Sequence, residues 1–170
     1  MNKTTNNNQI DISETWKERF EIFEKIGAGE KEKSYYKFLT TSSSEFKALS
    51  FKERLKINFN ILAFLFGPIY YLIKKMWIKG AFLFGATCIL NTLFMLIEAI
   101  IGISFPSTVY YIPTGLIFSQ AANYDYYRYI KYNEEIWPNT PKISTTPIDA
   151  IIFSIATFVL LITVSIIKNL

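Results

Sequence analysis

The chain has no histidine and a single cysteine, Cys88, among its 170 residues. Without imidazole, the commonest general base and metal ligand is missing. A lone thiol inside an apolar segment excludes an intrachain disulfide and reads as structural filler. Also missing are a paired acidic motif at metal-ligand spacing, a glycine-rich phosphate loop after a strand, and a nucleophile elbow. Gly27-Ala28-Gly29 is too short for a dinucleotide fingerprint and ends a helical pattern, so it reads as a helix cap. No catalytic, cofactor-binding or metal-ligating set emerges. A non-catalytic protein is expected, and an enzyme built on Asp, Glu, Tyr, Lys and Ser alone is the least favoured class.

Charge is scarce over most of the length. Residues 1–56 hold eleven Lys/Arg and nine Asp/Glu, whereas residues 57–170 hold seven and five. The whole chain is 51% hydrophobic and 17% aromatic, and its second part reads as a lipid-embedded body behind a polar head. The net charge of +4 is not a nucleic-acid footprint, because acids interleave with the lysines and no aromatic-basic stacking motif occurs. A denser basic patch at Lys47, Lys52, Arg54 and Lys56 precedes the first apolar run, where anionic headgroups attract it. The first fifty residues lack a basic start followed by an apolar core, so insertion is expected to use the internal spans.

The polar stretch 1–9 cannot bury enough apolar area to offset chain entropy and is expected to be disordered. Residues 10–56 read as cytosolic amphipathic helices. Asp11 with Glu14 resembles a capping box, and Trp16, Phe20 and Phe23 recur at helical spacing. A further helical piece is expected near 30–39 and a loop at 40–44. Ser50 with Glu53 repeats the capping signature, from which one helix is expected to run on from the basic patch into the apolar run. That run, Ile57 to Ile73, is broken by Gly67-Pro68 and closed by Lys74 and Lys75. Ten residues from Ile57 to Phe66 advance about 15 Å, half of the roughly 30 Å hydrocarbon layer. Residues 57–79 are therefore expected to form a re-entrant or interfacial hairpin. Residues 80–132 read as a transmembrane helical hairpin, 133–147 as a cytosolic loop and 148–170 as a C-terminal transmembrane helix. Thr146, Pro147 and Asp149 mark the start of the last helix.

Counting basic flanks decides between re-entry and crossing. Re-entry places Lys47, Lys52, Arg54, Lys56, Lys74, Lys75, Lys79, Arg128, Lys131 and Lys142 inside and Lys168 outside, ten against one. Crossing gives five against six. The expectation is an all-α integral membrane protein with three full spans, a cytoplasmic N-terminus, an outer C-terminus and an uncharged outer loop at 104–107.

Within the apolar part, Asn91 and Glu98 stand seven residues apart on one helical face. Glu98 lies near the outer end, and a snorkelling or protonated structural role is preferred to transport. Ala81/Gly85 and Gly115/Ser119 are small pairs spaced four apart, expected to form a packing seam within the hairpin. Asn123, Asp125 and Arg128 fall among Tyr124, Tyr126, Tyr127, Tyr129 and Tyr132 at the inner boundary. That composition suits an aromatic belt, with Asp125 and Arg128 able to pair at i, i+3. The functional alternative is that Arg128, Tyr127 and the lysines after the turn (Lys74, Lys75, Lys79) grip a lipid headgroup or a partner protein, together with Lys52, Arg54 and Lys56.

The residues Phe59-Asn60, Ala63-Phe64, Phe66-Gly67-Pro68, Tyr70-Tyr71 and Lys74-Lys75-Met76-Trp77, followed by Ala122-Asn123 and a nearby tyrosine, resemble a bacterial membrane-protein family, domain-of-unknown-function family 2628. The resemblance covers roughly residues 50–135. Ile61 stands where the family often has an aromatic and Lys74 where it often has arginine. The resemblance implies architecture and a bacterial inner-membrane location, not an activity. Together these features point to an accessory or scaffold protein binding anionic headgroups or a membrane partner, with self-association also open. A membrane immunity or antitoxin-type protein, or an oligomeric pore or carrier around Asn91 and Glu98, are the alternatives.

Overall fold

The computed structural model of the chain describes residues 12–28, 44–138 and 146–168. The expectations for the 1–9 tail, a cap at Asp11, a helix at 30–39, a loop at 40–43 and the contribution of Lys142 fall outside them. Among the described residues the protein is all-helical. Its helices are α1 (Glu14–Lys25), α2 (Ser44–Lys47), α3 (Phe51–Asn58), α4 (Ile61–Phe66), α5 (Pro68–Ile73), α6 (Trp77–Ile101), α7 (Ser107–Tyr132) and α8 (Pro147–Lys168).

Local chemistry sets most of the boundaries. α1 ends where Gly27 turns to φ 66° and the Gly27 and Ala28 amides donate back to the Glu24 and Phe23 carbonyls. α3 starts on a full capping box: Ser50 Oγ accepts from the Glu53 amide at 3.3 Å, and the Ser50 amide donates to the Glu53 carboxylate at 2.8 Å. The Ser50 donors hold the Glu53 carboxyl at about 2, well below its ordinary 4.5. α8 starts the same way, with the Thr146 amide donating to Asp149 at 2.9 Å and the Asp149 amide donating to Thr146 Oγ1 at 3.2 Å. Gly67, at φ 46° and ψ −116°, joins α4 to α5, and Pro68 occupies the first position of α5.

One expected helix is two. The run from the basic patch towards Phe66 breaks at Phe59-Asn60, both extended, so that α3 and α4 are separate elements. Two helices, α6 and α8, are long and apolar enough to cross a membrane. α7 has the length but not the composition, because its C-terminal half carries Asn123, Asp125 and Arg128.

That half is buried throughout 121–128, while the first two turns of α7 are open or half-buried. Trp16, Phe20 and Phe23 of α1 fill the core there. Trp16 lies 4.4 Å from Tyr126 between ring centroids, and Phe23 stacks on Tyr127 at 5.0 Å. Tyr124, Tyr126 and Tyr127 thus sit beneath α1 instead of forming an exposed belt, because α1 offers aromatic area that water and headgroups do not. Tyr71, Phe118 and Ile57 carry the same core down to α3–α5.

The small-residue seam is also rearranged. The expected α6–α7 pairing would have joined Ala81/Gly85 to Gly115/Ser119. Instead Gly85 backs onto Phe153 and Thr157 of α8, with Phe82 stacked on Phe153 at 5.1 Å. Gly115 meets α4: a Cβ there would lie 2.8 Å from the Phe64 carbonyl oxygen. The physical reason is that α4, short and capped, wedges along α7 and takes the close-approach face. In an open helix Gly→Ala gains about 1 kcal/mol. Here Gly115→Ala drives a methyl into backbone that cannot swing away, so we expect destabilisation of about 1–3 kcal/mol in thermal unfolding of the purified protein.

Candidate functional site

The break between α3 and α4 is held by side chains. Asn60 caps α4, its Oδ1 accepting from the Ala63 amide at 3.0 Å. The Asn60 backbone amide donates to Ser119 Oγ at 2.9 Å, and its Nδ2 donates to Tyr70 Oη at 2.9 Å and to Asn123 Oδ1 at 2.8 Å. From α7, Asn123 Nδ2 donates to the carbonyls of Lys56, Ile57 and Phe59 at 3.1–3.2 Å. One buried amide thereby answers the free carbonyls at the end of α3.

One turn further along α7 lies a buried charge cluster. Lys79 Nζ, 1% exposed, sits 3.2 Å from Asp125 Oδ1 and 3.0 Å from Glu134 Oε1. Arg128 faces the other oxygen of Glu134 at 2.6 Å. Tyr71 Oη donates to Asp125 at 2.9 Å, and the Trp137 indole N–H donates at 2.6 Å. Two cations and two carboxylates are enclosed together and their charges balance. Such a closed network ties the start of α6 to the end of α7 and the segment after it. Its effect is positional: it holds the α5–α6 turn against α7 from both sides.

The expected pairing of Asp125 with Arg128 is replaced by Lys79–Asp125 and Arg128–Glu134, since Glu134 and Lys79 approach from other elements. Lys79, Arg128 and Tyr127 are buried, so the structure removes them from any outward-facing grip. Arg54 folds back, donating to the carbonyls of Leu49 at 3.0 Å and Lys47 at 2.6 Å, beside the Phe46 ring. Lys56 pairs with Glu18. Lys52 and Lys75 are exposed, and Lys74 is half-buried. Glu98 does not snorkel: it is buried and accepts from Tyr110 Oη, the Phe105 amide and Lys168 of α8, closing the C-terminal ends of α6 and α8. Asn91 is half-buried in α6, apart from Glu98's partners, and its Oδ1 has no hydrogen-bond donor among the described residues. Ala81 is half-buried one turn before Gly85.

Several residues of these networks carried little signal. Asn60 stands three residues before Ala63 at the head of an apolar run, which is an N-cap spacing. Tyr70, Tyr71, Glu134 and Trp137 are drawn in only by tertiary contact.

A family model described as Protein of unknown function (DUF2628) matches residues 3–131. Two curated relatives, each named Uncharacterized protein YigF, come from Salmonella typhimurium and Salmonella typhi. Each is 29% identical over 106 residues, covering 57% of this chain and 81% of the relative. No solved structure matches.

Proposed function

The chain belongs to the DUF2628 family, and on that premise we propose that it is a non-catalytic protein of the bacterial inner membrane. In this reading it is an accessory or scaffold whose cytoplasmic side binds anionic headgroups. α4 and α5 dip into the inner leaflet and return, α6 and α8 cross, and α7 supplies a third crossing whose polar, buried C-terminal half reaches the cytoplasmic boundary. The N-terminus is cytoplasmic and the C-terminus lies outside.

The observation that carries this reading is the outer face of the α4–α5 hairpin. Ile61, Leu62, Leu65, Phe66, Ile69, Leu72 and Ile73 are all at least half exposed, and Lys74 and Lys75 follow directly. Each six-residue leg is about 9 Å long, which fits the 5–10 Å insertion of an interfacial helix and falls far short of a 30 Å crossing. An exposed apolar tip ending in two lysines suits a segment that buries its point in acyl chains and leaves its base among phosphates.

Position 75 is the informative place to test orientation, because Lys79 is sealed within the charge cluster and is shielded from reagents on either side. In a Cys88→Ser background, Lys75→Cys in intact cells should resist an impermeant thiol reagent and react after the cytoplasmic side is opened. Labelling from outside in intact cells overturns the re-entrant topology.

A further inference from the structure

We infer that Arg19 of α1 and Lys74 at the end of α5, set against the rings of Trp16 and Tyr126, form a clamp for the phosphate of one anionic phospholipid. This rests on the headgroup-binding reading above and gives it an address. The Arg19 guanidinium carbon lies 4.7 Å from the Trp16 ring centroid, and Lys74 Nζ lies 5.3 Å from the same ring and 4.4 Å from that of Tyr126. Two cations are thus gathered around one indole. Several neighbouring cations are already met by acids: Lys25 by Glu53, Lys131 by Glu24, and Lys79 and Arg128 by Asp125 and Glu134, while Lys52 and Lys75 stand exposed in solvent. Among the described residues, Arg19 and Lys74 have no carboxylate within ion-pair distance. Glu18, beside Arg19 in sequence, is taken by Lys56. Arg19 Nε donates to the Lys56 carbonyl at 3.1 Å, which fixes the guanidinium and leaves its terminal nitrogens without a protein acceptor among the described residues.

Burial, and after it the Arg19 charge, holds the Lys74 ammonium below its ordinary range. Like charges held together on a half-buried platform lack a counter-charge, and a phosphate supplies one with acceptors for both donors. The lipid source follows from what adjoins the clamp. Lys74 directly continues α5, whose Ile69, Leu72 and Ile73 are 56%, 61% and 72% exposed. A phosphate held at Lys74 sends its acyl chains along that face.

The test is phosphatidylglycerol binding to the full-length protein in zwitterionic-detergent micelles, read by native mass spectrometry, with phosphatidylcholine and inorganic phosphate as separate arms. Arg19→Gln and Lys74→Gln should each weaken phosphatidylglycerol by about tenfold, the loss of one charge-assisted contact. Lys74→Arg should keep binding within about threefold, which separates lost charge from lost fold. Lys17→Gln/Lys25→Gln removes two exposed charges of α1 outside the clamp and should leave affinity within about twofold. The clamp is overturned if that control weakens binding as much as Arg19→Gln/Lys74→Gln does. Displacement of the lipid by an equal concentration of inorganic phosphate overturns the lipid assignment. If the unaltered protein holds phosphatidylglycerol no better than phosphatidylcholine, headgroup binding falls with the clamp. The first two outcomes leave the broader reading standing.

Discussion

Asn123→Ala should cost about 3–5 kcal/mol, a large share of the 5–15 kcal/mol that holds a typical domain together. Asn123 is fully buried, and its amide serves three carbonyls and one neighbouring side chain. Truncation leaves the α3 carbonyls and Asn60 Nδ2 facing a dry cavity, and each unsatisfied buried group costs about 1–3 kcal/mol. Asn123→Asp makes the sharper test. It keeps shape and one acceptor but turns a donor towards three carbonyl oxygens into a second acceptor, so it should be at least as damaging as alanine. Thermal unfolding of the purified variants measures both. An aspartate variant as stable as the parent would show that the break between α3 and α4 is held by something else.

Asp125→Leu should lose about 3–5 kcal/mol, because it strands Lys79 and Arg128 in a closed space with one carboxylate between them. Lys79→Met added to it should recover most of that loss, to within about 2 kcal/mol of the parent. The remainder belongs to Tyr71 and Trp137, whose donors lose their acceptor. A double-mutant cycle read by thermal unfolding gives the coupling. Additive losses at the two positions would falsify a direct Lys79–Asp125 contact as the basis of the cluster.

The parts of this fold written in short-range chemistry were legible from sequence. Ser50 with Glu53 and Thr146 with Asp149 start helices as their spacing demands, Trp16, Phe20 and Phe23 share the buried face of α1, and Gly67-Pro68 interrupts the apolar run. What escaped is what distant segments decide. Asn60 signals a cap, but the free carbonyls before it are tolerable only because Asn123 arrives from α7 to meet them. The tyrosines of α7 have a composition that suits a membrane boundary equally well. Docking of α1 makes them a core, and nothing near them in sequence announces it. Asp125 and Arg128 have the spacing of a helical pair, yet each finds a partner on another element. Gly85 and Gly115 announce close approach without naming the neighbour, and α8 and α4 turned out to be those neighbours. The contacts of the candidate site are almost all of this second kind.

The matched family region closes at residue 131, inside the last turn of α7, so α8 stands beyond it. α8 is fastened to α6 through Phe153 on Gly85 and Phe82, through Phe158 beside Phe84, and through Lys168 on Glu98. It is a splint laid along one post of the frame. The aromatic core, the helix break and the buried charges are all assembled without it. The splint gives Glu98 its cation, so any shorter version of this architecture must carry a different answer to that carboxylate, or no acid at that position at all.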